Sequence, residues 1–212
     1  MTSQVMSPRS KVSPPCSFRL NHLNKLDAAC GDGDFGVGMY LGFKSVQKAV
    51  EEHATGDIST LLSSTGSAIL SSVGGASGPV FGTFFAEMGE KAKGKSEIQL
   101  GDLATMLEGS LEGICLRGRA KVGDKTLVDA LEPAARSLRE AASHKTEVLP
   151  ALQAAVEASK RGCESTATLV AKHGKARYLG EQAVGHIDPG AYVVQIIFET
   201  FLSVYKSSTL QN

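Results

Sequence analysis

The sequence predicts an all-α fold, a bundle or antiparallel helical barrel of seven or eight helices. Three observations carry this: seven runs of apolar residues at helical spacing, no convincing strand pattern, and connections short enough for antiparallel neighbours.

Residues 1–17 hold Pro8, Pro14 and Pro15 among many serines and read as a disordered lead-in. Order is expected from near Phe18. From 37 to 53, Val37, Tyr40, Leu41, Phe43, Val46 and Val50 recur on one helical face, and the turn-like residues 54–57 end the run. A second run, 58–73, carries Leu61, Leu62, Ile69 and Leu70 up to the small-residue loop 74–79. Val80, Phe81, Phe84, Phe85 and Met88 form a third, read as core packing, with Lys91 and Lys93 near its end where cations suit the helix dipole. Further helices are expected at 101–116, 124–142, 147–172 and 190–205. One ordered domain, 18–206, and a tail of 207–212 follow.

Composition excludes several classes. Twenty-two Lys plus Arg balance 22 Asp plus Glu, and no basic block exists to neutralise a run of phosphates, so nucleic-acid binding is not expected. No apolar run reaches the roughly 18 residues of a membrane-spanning helix. Cys16, Cys30, Cys115 and Cys163 form no C-x-x-C pair, and the N-terminus lacks the apolar stretch of a secretory signal, so a reducing cytoplasm is the simplest location.

The strongest chemical signal is the stretch 26–36, where Asp27, Asp32 and Asp34 crowd among glycines. Like charges this close need full solvation or a cation between them. An EF-hand is rejected, because counting from Asp32 puts Gly36 at position 5 and Phe43 at position 12, where a bidentate Glu is required. A magnesium site shared with substrate phosphates fits the residue types, and a solvated Asp-Gly turn fits them equally. Residues 74–79 precede a helix and offer backbone N–H groups to an anion, or simply make a tight turn. In 174–190, Lys175 and Arg177 can neutralise a phosphoryl group or stand as surface cations, and His186 reads as structural rather than as a base. Asp124 is read as the cap of the following helix, on which Leu127 offers an apolar wall to a base. His22, His53, His144 and His173 show no metal-ligand spacing and are expected at the surface, and no covalent nucleophile is assigned.

Four segments, LDAACGDGDFG, SSVGGASGPVFGTFF, RGRAKVGDKTLVDALEPA and ARYLGEQAVGHIDPGA, resemble in order the motifs of the nucleotide-binding L subunit of dihydroxyacetone kinase, the DhaL family. The resemblance spans 26–205 and implies an antiparallel eight-helix barrel with ADP or ATP at one end, held through two Mg2+ ions. By resemblance Asp27, Asp32 and Asp34 are the metal ligands, and Ala76 and Ser77 touch phosphate. Phe35, Gly36, Val37, Gly38, Gly118 and Leu127 line the nucleotide pocket, which Asp188, Pro189 and Gly190 close. Lys175 and Arg177 are the catalytic cations of the last loop. The chain's free-standing form and its YLGEQAVGHIDPGA stretch resemble the bacterial subunits. These pass a phosphoryl group to dihydroxyacetone, or a similar short ketose, on a separate K subunit and are recharged by a phosphotransferase-system M subunit. The chain departs from those subunits at Phe35, commonly His, at Gly38, commonly Asn, and at Lys175, where the catalytic residue is Arg. Those departures keep a second expectation open, a non-catalytic Mg-nucleotide module acting on a partner protein. Against the family's first helix, 18–25 has room only for a short substitute, so the resemblance implies a first stave shortened or missing, with apolar surface exposed on its neighbours and a partner chain, such as a second copy in a homodimer, favoured.

Overall fold

The computed structural model describes residues 16–52 and 57–209. Among these are α1 (Cys16–Ala28), α2 (Phe35–Glu52), α3 (Ile58–Ser72), α4 (Ser77–Lys91), α5 (Leu100–Gly118), α6 (Val128–Ser143), α7 (Val148–Ser165) and α8 (Pro189–Thr209), with no strand. Two 3-10 segments, Thr166–Thr168 and Lys175–Ala183, lie between α7 and α8. No helix of the described residues is long and apolar enough to cross a membrane.

Each helix packs against the next, so the chain is four hairpins, α1–α2, α3–α4, α5–α6 and α7–α8. Their tips meet at one end: Asp32 contacts Lys175, Asp124 contacts Lys172, and a Cβ on Gly38, at the start of α2, would stand 3.9 Å from Val73 at the α3–α4 turn. The ring closes where α8 returns to α1, through an Arg19–Glu199 ion pair of 3.1 Å and an edge-on His22–Tyr192 ring pair at 4.8 Å. Inside, Ile69, Phe81, Phe84, Leu107, Ile114, Leu131, Leu138 and Phe198 are fully buried. The Phe81, Phe84, Phe85 and Met88 cluster is core, as its spacing predicts.

Small residues set the tightest crossings. A Cβ on Gly66 would stand 2.7 Å from the Gly82 carbonyl oxygen, so α3 and α4 meet backbone to backbone. Pro133, inside α6, has no N–H to donate to the Asp129 carbonyl one turn earlier. Against that carbonyl packs Gly162 of α7, where a Cβ would come within 2.1 Å.

Several expected boundaries move, each for a local reason. The first stave is present: α1 includes Cys16 and Ser17, continues to Ala28, and at 13 residues is the shortest α-helix described. The uncovered surface inferred from its absence, and with it that argument for a second copy, therefore lapses. Residues 1–15, 53–56 with His53 and most of the expected turn, and 210–212 lie outside the described residues. Asp57 caps α3 by accepting the Thr60 N–H at 2.7 Å, and α8 continues to Thr209 rather than yielding to a tail at 207.

The helix expected over 147–172 stops at Ser165. There the hydroxyls of Ser165, Thr166 and Thr168 bond back to the carbonyls of Gly162, Cys163 and Ser165 at 2.7, 2.6 and 2.9 Å, tightening the backbone into a 3-10 turn. The helix expected from 124 starts instead at Val128. Gly123 and Lys125 have φ of 91° and 59°, incompatible with a right-handed helix. Asp124 is accordingly not its cap. Asp129, in the first turn, serves that end by accepting the N–H groups of Gly123 and Thr126 at 2.5 and 2.7 Å.

Candidate functional site at the hairpin tips

The first tip is organised by two side chains of α1. Asp27 Oδ2 accepts the backbone N–H groups of Gly33, Asp34 and Phe35 at 2.9, 3.1 and 3.2 Å, folding the loop over the end of its own helix. Asn24 Oδ1 accepts those of Gly36 and Val37 at 2.7 and 3.3 Å and so caps α2 from the neighbouring helix. Gly36 is required for this approach, since a Cβ there would lie 2.4 Å from the Leu20 carbonyl oxygen.

The folded loop brings one carboxylate oxygen from each of Asp27, Asp32 and Asp34 within 4.8 Å of one another. An all-carboxylate, partly to fully exposed set of this kind suits a hard divalent cation that keeps water and accepts phosphate oxygens. Across the loop, the Lys175 ammonium contacts the Asp32 carboxylate. That hydrogen bond holds the Asp32 carboxyl below its ordinary range and raises the Lys175 ammonium above its own. Cys30, Gly31, Asp32, Lys175, Tyr178 and Leu179 line a shallow recess of about 260 Å³ beside them.

Arg177 is not brought to the aspartates. Its guanidinium stacks on the neighbouring Tyr178 ring at 4.6 Å and donates to that residue's hydroxyl at 2.5 Å. The two cations expected to act together thus face different surroundings, because Gly174 and Gly180, at φ of 64° and 56°, bend the 3-10 segment at both ends of the Lys175–Leu179 turn.

At the second tip, Gly75 takes φ of 65°, and α4 begins after Ala76 with no side chain capping its first turn. The N-terminal N–H groups there face the open end beside exposed Ala76 and half-buried Ser77. At the third tip, Gly118 ends α5 with no atom within 4 Å of a Cβ built there, while Leu127 is buried. The fourth tip meets it: a Cβ on Gly190 would stand 3.6 Å from the Leu127 Cβ. Asp188 accepts the Ala191 N–H at 2.7 Å, capping α8, and donates its own N–H to Thr166 Oγ1 at 2.9 Å. Burial pushes the Asp188 carboxyl up to about 7, against the pull of Ala191 N–H and Lys125.

Asp124 is also part of this end, buried with its carboxylate meeting Lys172 at 2.8 Å, His173 at 3.2 Å and the Lys121 N–H at 3.0 Å. His173, expected at the surface, is thereby half-buried, as is His22 on its Tyr192 partner. Asn24, Lys125, Asp129 and Thr166 do structural work here that the sequence reading missed. The Asn24 bonds span 12 and 13 residues, and the Lys125 contacts span 41 and 61. The signal available for Asp129 was its place in the first turn of a helix preceded by Gly123.

Comparison with known proteins agrees with this architecture. Residues 29–203 match the DAK2 domain family. The chain is 36% identical over 197 residues to the ADP-binding subunit DhaL of the PEP-dependent dihydroxyacetone kinase of Escherichia coli (strain K12), covering 93% of this chain and 94% of that protein. It is 37% identical over 183 residues to the ADP-binding subunit DhaL of the PTS-dependent dihydroxyacetone kinase of Lactococcus lactis, covering 86% of this chain and 87% of that one. The crystal structure of the C. freundii dihydroxyacetone kinase in complex with AMP-PNP and Mg2+ matches with a TM-score of 0.66 at 26% identity, over 96% of this chain and 37% of that one. With the expected helical architecture in place and residues 29–203 matched to the family, the chain belongs to the DAK2 domain family, among its DhaL subunits.

Proposed function

We propose that this chain is the ADP-binding subunit of a phosphoenolpyruvate-dependent dihydroxyacetone kinase. It transfers a phosphoryl group to dihydroxyacetone, or a similar short ketose, held on a separate K subunit, and is recharged in the cytoplasm by a phosphotransferase-system M subunit. The observation that carries this reading is the convergence of three carboxylates within 4.8 Å on a loop faced by Lys175.

Asp27, Asp32 and Asp34 would hold two Mg2+ ions, which supply charge neutralisation to the nucleotide phosphates. Asp27 has one oxygen committed to the loop backbone, which leaves Oδ1 for a cation. Ala76 and Ser77 present the α4 N-terminus to phosphate, Phe35, Gly36, Val37 and Gly38 flank it on α2, and Gly118 and Leu127 border the base. Asp188, Pro189 and Gly190 close the pocket. Lys175 stands at the aspartates, where its ammonium offsets charge on the group being transferred, and Arg177 serves the rim outside it. No residue of this chain needs to act as a nucleophile, because transfer proceeds by positioning and charge neutralisation.

The test combines the purified chain, Mg2+ and ADP with a K subunit, an M subunit and the phosphoenolpyruvate-driven phosphotransfer proteins. Formation of triose phosphate is expected. A protein that retains Mg-ADP yet yields no product fits a second reading, a regulatory nucleotide-binding module. Phe35, Gly38 and Lys175 favour that reading by replacing polar or forked contacts.

A further inference from the structure

Lys125 is one of the few charged residues in the interior, 2% exposed, and it occupies a left-handed backbone position with φ of 59°. Asp129 secures that unusual backbone by bonding Gly123 and Thr126 on either side of it. The Lys125 ammonium donates to the carbonyl oxygens of Thr166 and His186, which belong to the two ends of the irregular stretch between α7 and α8. From Thr166 the same stretch is tied by its hydroxyl to the Asp188 N–H, and from Ala167 by its carbonyl to the Gly185 N–H at 2.7 Å.

A buried ammonium gives up its hydration, and an apolar side chain would fill the same space without that loss. An ammonium, with three N–H donors and no acceptor, can gather two carbonyls from separate segments at one point. Both carbonyls lie just before or beneath the turn that carries Asp188, Pro189 and Gly190. We propose that Lys125 is a positioning residue, whose ammonium pins the carbonyls of Thr166 and His186 and so fixes the 188–190 turn against the nucleotide. Burial lowers the Lys125 pKa, and the neighbouring Cys30, Asp188 and Asp129 act against that fall.

The inference rests on the nucleotide-site reading, and its test separates the two. The full chain and its Lys125→Met, Lys125→Arg and Thr166→Val variants are compared for Mg-ADP affinity and ADP dissociation rate. Leu138→Ala, a cavity in the core along α6, serves as a destabilised control. Lys125→Met should release ADP at least tenfold faster, Lys125→Arg should recover most of the retention, and Leu138→Ala should stay within twofold of wild type. Thr166→Val keeps the ammonium paired but removes the hydroxyl that holds Asp188, and should also release ADP faster. It remains informative if Lys125→Met does not fold.

Wild-type retention in Lys125→Met or in Thr166→Val overturns the proposal and leaves the nucleotide reading standing. A loss in Lys125→Met no greater than that of Leu138→Ala at equal thermal destabilisation does the same. A wild-type chain that binds no Mg-ADP overturns both.

Discussion

Replacing Asp27 by Asn should damage two things at once, whereas replacing Asp34 should damage one. Asp27 Oδ2 carries three backbone N–H bonds of the first tip. An amide oxygen can accept the same bonds but without charge. Hydrogen bonds to an ionised group contribute about 1.5–3 kcal/mol, against about 0.5–1.5 for neutral pairs. Three bonds on one oxygen do not add fully, so the expected loss is about 1–3 kcal/mol, or roughly 2–12 °C in Tm for a domain of this size.

The amide nitrogen would then occupy the Oδ1 position and present N–H where a cation needs an oxygen. No backbone N–H among the described residues bonds the Asp34 side chain, so Asp34→Asn should leave the metal-free Tm unchanged or raised through relief of repulsion. Scanning calorimetry in EDTA, followed by titration of ADP with and without Mg2+, reads both effects. Asp27→Asn should lose Tm and Mg-dependent ADP binding together, and Asp34→Asn should lose at least tenfold in binding alone. An Asp27→Asn protein with wild-type Tm in EDTA, or an Asp34→Asn protein with unchanged Mg-dependent affinity, would falsify the division of labour between scaffold and ligand.

Lys175→Ala should reduce phosphoryl transfer by about 10²-fold or more, as removal of a charge stabiliser does, while Arg177→Ala stays within about fivefold, both read as triose phosphate formation. Equal losses would show that Arg177 leaves the Tyr178 ring to act at the site. Gly36→Ala should push α2 away from the Leu20 carbonyl and Asn24, lowering Tm by several degrees and weakening ADP binding with it, and a neutral effect on both counts against the close approach. Burial alone would raise the Asp124 carboxyl, but the bonds from Lys172, Lys121 N–H and His173 outweigh it and hold it at about 2. Its folded value lies below the unfolded one, so this stabilisation is present above about pH 4 and lost as pH falls towards 2. After discount for the exposed Lys172 it amounts to about 1–2 kcal/mol. Asp124→Asn should therefore be less stable at pH 7 and decline less between pH 4 and 2 in urea titrations, and parallel curves would exclude the effect.

The helices were legible because their apolar stripes repeat locally, as the Phe81 to Met88 run shows, and the aspartate loop was legible because its three carboxylates are close in sequence. Most of what escaped notice depends on pairs far apart along the chain, Asp129 with its local bonds excepted. Lys125 drew no reading from its Gly-Asp-Lys-Thr neighbours, because its partners Thr166 and His186 lie 41 and 61 residues further on. Asp124 looked like a helix cap because Asp before an apolar run ordinarily is one, yet the backbone at Lys125 delays that helix and frees Asp124 for Lys172 and His173. The family motifs placed Lys175 and Arg177 side by side, but which of them points at the aspartates was decided by the bend at Gly174 and by the Tyr178 ring.

Because every hairpin turns at the same end, the described links between hairpins, α4 to α5 and α6 to α7, fall at the opposite one. A backbone cut at such a link, for instance at Lys145 between α6 and α7, leaves all four catalytic-end turns covalently whole. Complementary halves divided there should reassemble into an ADP-binding particle, and relocating the chain ends by circular permutation should be tolerated at those two points and not among the turns proposed to hold the phosphates.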